Sequence, residues 1–199
     1  MADPRPLEES DEWWVQKSLD EPQAFEELVY RYQTRLYNLA YRLIGDREEA
    51  QDQTQEALVR TFTALPAFRR GERFSPWVYK ILVNLCISYL RKRKPQVQLN
   101  DDAPLVDGSL TPEQTLEKKE IQDAVQTAIL ALPEQYRAVI LLRHQQELSY
   151  ADIARTLGLP IGTVKTHLFR AREMLHKHLS KRIDIEGYSK LDGGGSSDE

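Results

Sequence analysis

The sequence predicts an all-α fold made of two small helical domains joined by a flexible linker. Three observations predict it. Apolar residues recur by threes and fours over long segments, with no strand-like alternation between them. Residues that start and stop helices flank those segments. Residues 95–111 lose the periodicity and are punctuated by Pro95, Asn100, Asp101, Asp102, Pro104, Asp107, Gly108 and Ser109, a linker by composition.

The elements follow in order. Asp20 with Gln23 reads as a capping box. The apolar stripe after it is Phe25, Leu28, Val29, Tyr32, Leu36, Leu39, Ala40 and Leu43, and Gly45 fits the left-handed residue that ends such a helix. Asp46 with Glu49 caps a second helix whose inner face is Ala50, Thr54, Ala57, Leu58, Thr61, Phe62 and Leu65, with Pro66 near its end. Residues 67–75 read as a charged, aromatic loop, and Ser75-Pro76 as N-cap and first helical residue. The third helix has Val78, Ile81, Leu82, Leu85 and Tyr89 on one side and ends in Arg91-Lys92-Arg93-Lys94 before Pro95. Beyond the linker, Thr111-Pro112 with Gln114 restarts a helix. Pro133 starts another, with Tyr136, Val139, Ile140 and Leu141 as core, and 149–178 form a third unit. The tail from Asp184 has the composition of disordered chain.

Charge distribution narrows the function. The net charge of −4 argues against nucleic acid only if spread evenly, and it is not. Residues 1–27 carry nine acids and two bases, and 183–199 carry five acids and one lysine. Between them lie the run 91–94 and the stretch 149–182, with seven Lys/Arg against two acids. Basic patches in an acidic envelope predict local contact with DNA and a second partner that is not DNA. No apolar run approaches the roughly 20 residues that span a bilayer, and no secretory signal opens the chain, so no stable membrane insertion is expected. The lone Cys86 permits no intrachain disulfide, lies in an apolar stretch and fits a buried thiol in a reducing cytoplasm.

The sharpest local signal is Tyr150 to Lys165. Two short helices that cross steeply need a small residue at their approach, and Ala154 supplies it. The turn four residues later needs a positive φ, which Gly158 tolerates. Ile153, Leu157, Leu159 and Val164 then point inward, Ser149 caps the first helix and Pro160 starts the second. This is a helix-turn-helix. Its second helix would present Thr163, Lys165, Thr166, Phe169, Arg170 and Arg172 to a major groove.

The two halves together resemble the extracytoplasmic-function (group IV) sigma factors of the sigma-70 family, over about residues 22–180. Leu132 to Leu142, Glu147 to Ala154, Gly162 to His167 and Arg170-Ala171-Arg172 are similar to the family's region 4. Ala50 to Arg60 is similar to region 2.2. Phe68-Arg69-Arg70-Gly71 and Trp77 to Asn84 are similar to regions 2.3 and 2.4. Composition marks an acidic N-terminal segment at 1–21, a linker at 96–111 and an acidic tail at 183–199; the resemblance implies region 2 at 22–95 and region 4 at 112–182. It implies a non-enzymatic factor that binds core RNA polymerase, recognises the −35 and −10 promoter elements and promotes melting. Asp52, Gln55, Glu56 and Arg60 would dock on the β′ clamp helices, and region 4 would meet the β flap. Phe68, Arg69, Arg70, Arg73, Phe74, Trp77, Lys80 and Asn84 would read the melting −10 element, with core positions the alternative for Phe74 and Trp77. Arg91, Lys92, Arg93 and Lys94 would hold phosphate. Lys165, Thr166, Phe169 and Arg170, with Thr163 beside them, would read the −35 element, and Arg172 would contact its backbone. His167 stands where the family often has arginine. No cofactor is implied, and an anti-sigma factor is.

Competing classes fit less well. A transcription factor of another kind would need a ligand or phosphoacceptor domain ahead of its helix-turn-helix, and the first 95 residues lack the strand–helix alternation for one. An enzyme would need a phosphate-cradling glycine loop, a nucleophile elbow or a Cys/His cluster. His176 and His178 lie two apart on a helix and so point about 200° from one another. A module that bound polymerase but not promoters would not need the basic second helix.

Overall fold

The computed structural model describes residues 10–69, 71–93 and 112–180, with side chains from residue 121 in the last stretch. Arg70, Lys94, the linker, the Thr111 cap and the acidic tail lie outside the described residues. Eight α-helices and no strand occur among those described: α1 (Asp11–Asp20), α2 (Phe25–Ile44), α3 (Arg47–Ala64), α4 (Phe74–Lys92), α5 (Pro112–Leu130), α6 (Glu134–His144), α7 (Tyr150–Leu157) and α8 (Ile161–Ser180).

α2 is the spine of the first group. Its stripe at spacings of three and four buries Leu28, Tyr32, Leu36, Leu39, Ala40 and Leu43 against α3 and α4. It ends at Gly45 (φ 80°), whose N–H returns to the Tyr41 carbonyl. Asp46 then caps α3 by accepting from the Glu49 N–H at 3.3 Å. α4 contributes Phe74, Val78, Leu82, Val83 and Cys86 to the same core.

Three sequence expectations shift here. Asp20 does not cap α2; it is the last residue of α1, and a 3-10 turn at Pro22–Ala24 leads into α2 without a side-chain cap. Ser75-Pro76 do not start α4, which begins at Phe74, so both fall within its first turn. Proline is tolerated there because those N–H groups have no partner inside the helix. Phe62 is 43% exposed rather than inward, its ring touching only the edge of the core through Phe25 at 5.1 Å.

The second group, α5 to α8, buries Ile129, Val139, Leu142, Ile153, Val164, Leu168 and Ala171. Pro133 precedes α6 as expected, while Tyr136 is only half-buried. Ser149 caps α7 by accepting from the Asp152 N–H at 3.1 Å, and Gly158 (φ 66°) ends it. α8 follows after Leu159-Pro160, with the Pro160 carbonyl taking the Val164 N–H at 3.1 Å.

The two groups meet along one seam, and their buried side chains form one continuous cluster. At one end, the buried Arg137 of α6 donates to the Leu43 carbonyl at the close of α2, and to the Leu130 and Leu132 carbonyls at 2.6 and 2.9 Å. Leu130 packs so near Gly45 that a Cβ there would lie 2.8 Å from it. At the other end, α4 meets α7. The Thr156 hydroxyl donates to the Pro76 carbonyl at 3.2 Å, and Arg73 pairs with Asp152 at 3.0 Å.

Candidate nucleic-acid interface

Helical geometry sorts the predicted residues of α8. Val164, Leu168 and Ala171 are buried, which turns Lys165, Thr166, Phe169, Arg170 and Arg172 to solvent and leaves Thr163 half-exposed. Phe169 is 63% exposed, an apolar ring with no core to fill. Arg170 rests on the Tyr136 hydroxyl at 3.2 Å, and Arg172 lies 3.4 Å from His144 Nε2. The Thr166 hydroxyl donates to the Gly162 carbonyl at 3.0 Å. His167 is half-buried, edge-on to Tyr136 at 5.1 Å, with its Nδ1 buried and unpartnered. With Thr163, it faces the protein more than the other predicted contacts of α8 do.

The second set gathers at the start of α4. Phe74 is 1% exposed and Phe68 8%, so both are core residues in this arrangement. They pack there because Tyr32 offers Phe74 an edge at 5.1 Å and the two phenyl rings meet at 6.2 Å. Trp77 lies over them at 5.0 and 5.9 Å and stays half-buried, leaving it the aromatic surface next to the loop. Arg69, Arg73, Lys80, Asn84, Arg91 and Lys92 are exposed. Trp77, Lys80, Asn84 and Arg91 recur by threes, fours and sevens and so form one stripe from the loop to the basic end of α4. Arg93 is turned aside: it donates to the Tyr89 hydroxyl at 3.2 Å and lies 3.7 Å from Asp46. Between α4 and α7 opens a cleft of about 240 Å³ lined by Glu72, Arg73, Pro76, Trp77, Lys80, Arg155 and Thr156.

The third set lies on α3. Ala50, Thr54, Ala57 and Thr61 are buried, so Asp52, Gln55, Glu56 and Arg60 are exposed, with Arg60 paired to Glu56 at 2.6 Å. The structure adds two residues that the sequence reading did not place on this face. Val59 is 61% exposed and Phe62 43%, at the same periodicity as Asp52, Gln55 and Glu56. Helical numbering could have placed both here, Val59 four and Phe62 seven residues after Gln55; the aromatic side chain of Phe62 argues for the core and hides it. A groove of about 1010 Å³ between α3 and α4 joins Glu56 and Arg60 to Asn84 and Lys92. Another, of about 530 Å³, is lined by Arg42, Val125, Ile129, Ile140, Leu141 and Leu175 among others.

Among the described residues no group of His, Cys, Asp and Glu could hold a metal ion, and no helix is long and apolar enough to cross a membrane.

Comparison with known proteins fits this arrangement of two helix groups and a helix-turn-helix. The Sigma-70 region 2 family matches residues 28–96 and the Sigma-70 region 4 family matches residues 122–175, which defines the class as sigma-70-type transcription initiation proteins. The chain is 37% identical over 166 residues to the ECF RNA polymerase sigma factor SigW of Bacillus subtilis, covering 78% of this chain and 89% of that one. It is 36% identical to the RNA polymerase sigma-H factor of Pseudomonas aeruginosa, covering 78% and 86%. Over 182 residues it is 34% identical to the ECF RNA polymerase sigma-E factor of Escherichia coli K12, covering 85% and 92%. The sigma factor RpoE of Bartonella quintana, solved with the anti-sigma factor NepR, superposes with a TM-score of 0.66 at 25% identity, covering 78% of this chain and 96% of that one. The chain belongs to the ECF RNA polymerase sigma factors, which recognise promoters in transcription initiation.

Proposed function

We propose that the chain initiates transcription through four surfaces, two for core polymerase and two for promoter DNA. The exposed face of α3, with Asp52, Gln55, Glu56 and Arg60 around Val59 and Phe62, docks on the β′ clamp helices of core polymerase. An apolar centre with a polar rim is the anatomy of a protein interface. The groove bordered by Val125, Ile129, Ile140 and Leu141 takes the β flap, as an apolar groove takes an amphipathic helix. Region 2 runs over 22–95 and region 4 over 112–182, and the chain works in the bacterial cytoplasm without itself catalysing a reaction.

The loop after Phe68 and the stripe along α4 read the −10 element as it opens. Unpairing costs stacking energy, and an extruded base recovers part of it on an aromatic face with polar groups beside it. Trp77 with Arg73, Lys80 and Asn84 offers that combination, while Arg69, Arg91 and Lys92 hold phosphate. Phe68 and Phe74 support Trp77 from beneath. α8 reads the −35 element as duplex through Lys165, Thr166, Phe169, Arg170 and Arg172.

Distance sets the mechanism. The −35 and −10 elements lie about 25 base pairs apart, or about 85 Å of duplex at 3.4 Å per pair. A closed chain of 199 residues has a radius of gyration of only about 16 Å. It cannot touch both elements with the seam shut. Residues 94–111, fully extended, reach about 60 Å, which with the two domains is enough once the seam opens on polymerase. An anti-sigma factor, such as NepR is for RpoE, would act by keeping these surfaces covered.

The observation that carries this reading is the separation of three of these surfaces onto the exposed faces of α3, α4 and α8, each backed by a buried core face. Run-off transcription with core polymerase and a promoter library tests it. Initiation at specific start sites with shared −35 and −10 sequences is the expected result. A chain that never directs core polymerase to a specific start overturns it.

A further inference from the structure

We propose that Glu12 is a positioning residue for −10 recognition: from α1 its carboxylate caps α4 and thereby sets the loop and the Trp77 face in front of it. The inference rests on the reading of that loop given above.

α4 begins with a deficit. Its N-cap position is Arg73, which makes no side-chain cap bond, and its first turn holds no acid. The free N–H groups and positive end of a helix call for a negative or accepting partner. Glu12 supplies one from 62 residues away: the Phe74 N–H donates to Glu12 Oε1 at 3.0 Å.

α1 is fixed firmly enough for that contact to set a position. Ser10 caps it by accepting from the Trp13 N–H at 3.1 Å, and Val15 is wholly buried. The residue before Glu12 is anchored too. Asp11 accepts from the Tyr32 hydroxyl at 2.5 Å and pairs with Arg31 at 3.2 Å. Tyr32 in turn lies edge-on to the Phe74 ring. α1 therefore holds Phe74 twice, by its backbone through Glu12 and by its ring through Asp11 and Tyr32. It also packs on the 3-10 turn at Leu65–Ala67 that leads into Phe68.

Both ends of the loop are thus set against α1. Phe68 leans on Phe74 and Trp77, and Phe74 hangs from Glu12. Residues 69–73 span the gap, with Gly71 taking a φ of 87°. Without the cap the first turn of α4 frays. Trp77, one turn along, and Arg73, one residue before, lose their fixed relation. The acidic α1 therefore serves promoter reading without touching DNA.

The test uses holoenzyme assembled with the full chain carrying Glu12→Ala or Glu12→Gln, since glutamine keeps an accepting oxygen and alanine does not. Transcription is compared on three promoters: matched, −10-substituted and −35-substituted. Core affinity is measured alongside. The Glu12→Ala chain should lose discrimination against the −10 substitution by about fivefold, the equilibrium equivalent of one N-cap, with Glu12→Gln within about twofold of wild type. Discrimination at −35 and core affinity should be unchanged in both. Wild-type −10 discrimination in Glu12→Ala overturns the inference, as does a proportional loss at −10, at −35 and in core affinity, which marks general destabilisation. A wild-type chain that initiates without any −10 preference overturns the reading of the loop itself, and the inference with it.

Discussion

Arg170 is held in the free protein by a neighbour that it must leave to read DNA. Its guanidinium donates to the Tyr136 hydroxyl, a contact that draws the phenol below its ordinary pKa. Both groups are at the surface, so the exchange for a base edge costs little. A two-pronged bond to guanine is worth about 1–3 kcal/mol of discrimination. Arg170→Ala should lose about that much in −35-dependent transcription, measured on matched and −35-substituted promoters, with core affinity intact. Gly45 carries a different load. Its φ of 80° suits glycine, and a Cβ would also press on Leu130 from across the seam. Gly45→Ala should therefore destabilise by about 1–2 kcal/mol from the backbone alone, with the Leu130 contact adding to it. Denaturant unfolding of both chains measures it.

At the scale of elements, what the sequence made legible was periodicity with local punctuation. The stripe of α2, the glycines that end α2 and α7, the Asp46 and Ser149 caps and the outward residues of α8 all follow from a few neighbouring positions. What stayed hidden depends on partners far along the chain. α1 buries only Val15 and Ser18, so it shows no stripe, and its place comes from Asp11 and Glu12 binding α2 and α4. α4 starts two residues earlier than Ser75-Pro76 suggest, at Phe74, because the local signal there is weaker than a cap from 62 residues away. The Arg73–Asp152 pair lies 79 residues apart and has no sequence signature at all. The Asp152 carboxylate, which Ser149, Arg155 and Arg73 share, makes α7 sensitive to acid. Burial pushes the Asp152 pKa up, but the Ser149 hydroxyl, Arg155 and Arg73 outweigh it and the net shift is downward. A carboxylate held below its unfolded value adds stability that is full above the unfolded pKa and is lost as pH falls through the folded one. The opening equilibrium of α7, read as its hydrogen-exchange rate divided by the intrinsic rate at each pH, should therefore be flat from neutral pH down to the ordinary aspartate range and rise only below it. Asp152→Asn should remove that acid-dependent rise. A wild-type rise centred near pH 6 would overturn the assignment.

The whole molecule poses one mechanical question: what holds the seam shut, and what opens it. Among the described residues the ion pairs across it are Arg73–Asp152, whose buried carboxylate is also held by Ser149 and Arg155, and the longer Arg91–Glu134 at 4.0 Å, with Arg73 and Arg91 both largely exposed. Exposed pairs contribute about 0–1 kcal/mol and less in high salt. The rest of the seam is different in kind. Arg137 donates to a carbonyl of α2 out of reach of water, Leu130 packs on Gly45, and Thr156 bonds the Pro76 carbonyl. Salt screens none of these. Opening must instead be driven by binding, because only surfaces that favour the separated state can shift the equilibrium. A pair of dyes reports this directly. Cys86 is wholly buried with its thiol pushed up to about 12, so it stays silent while cysteines at Gln51 of α3 and Lys177 of α8, both exposed, take the labels. Energy transfer in the free chain should be high, and should stay high in Arg73→Ala and at about 1 M salt, where the Debye length is near 3 Å. It should fall only when core polymerase is added and remain low on promoter DNA. A free chain already separated in low salt would show that the seam does not close in solution. High transfer persisting in an active promoter complex would show that the two readers never part, and the distance argument for opening would fail.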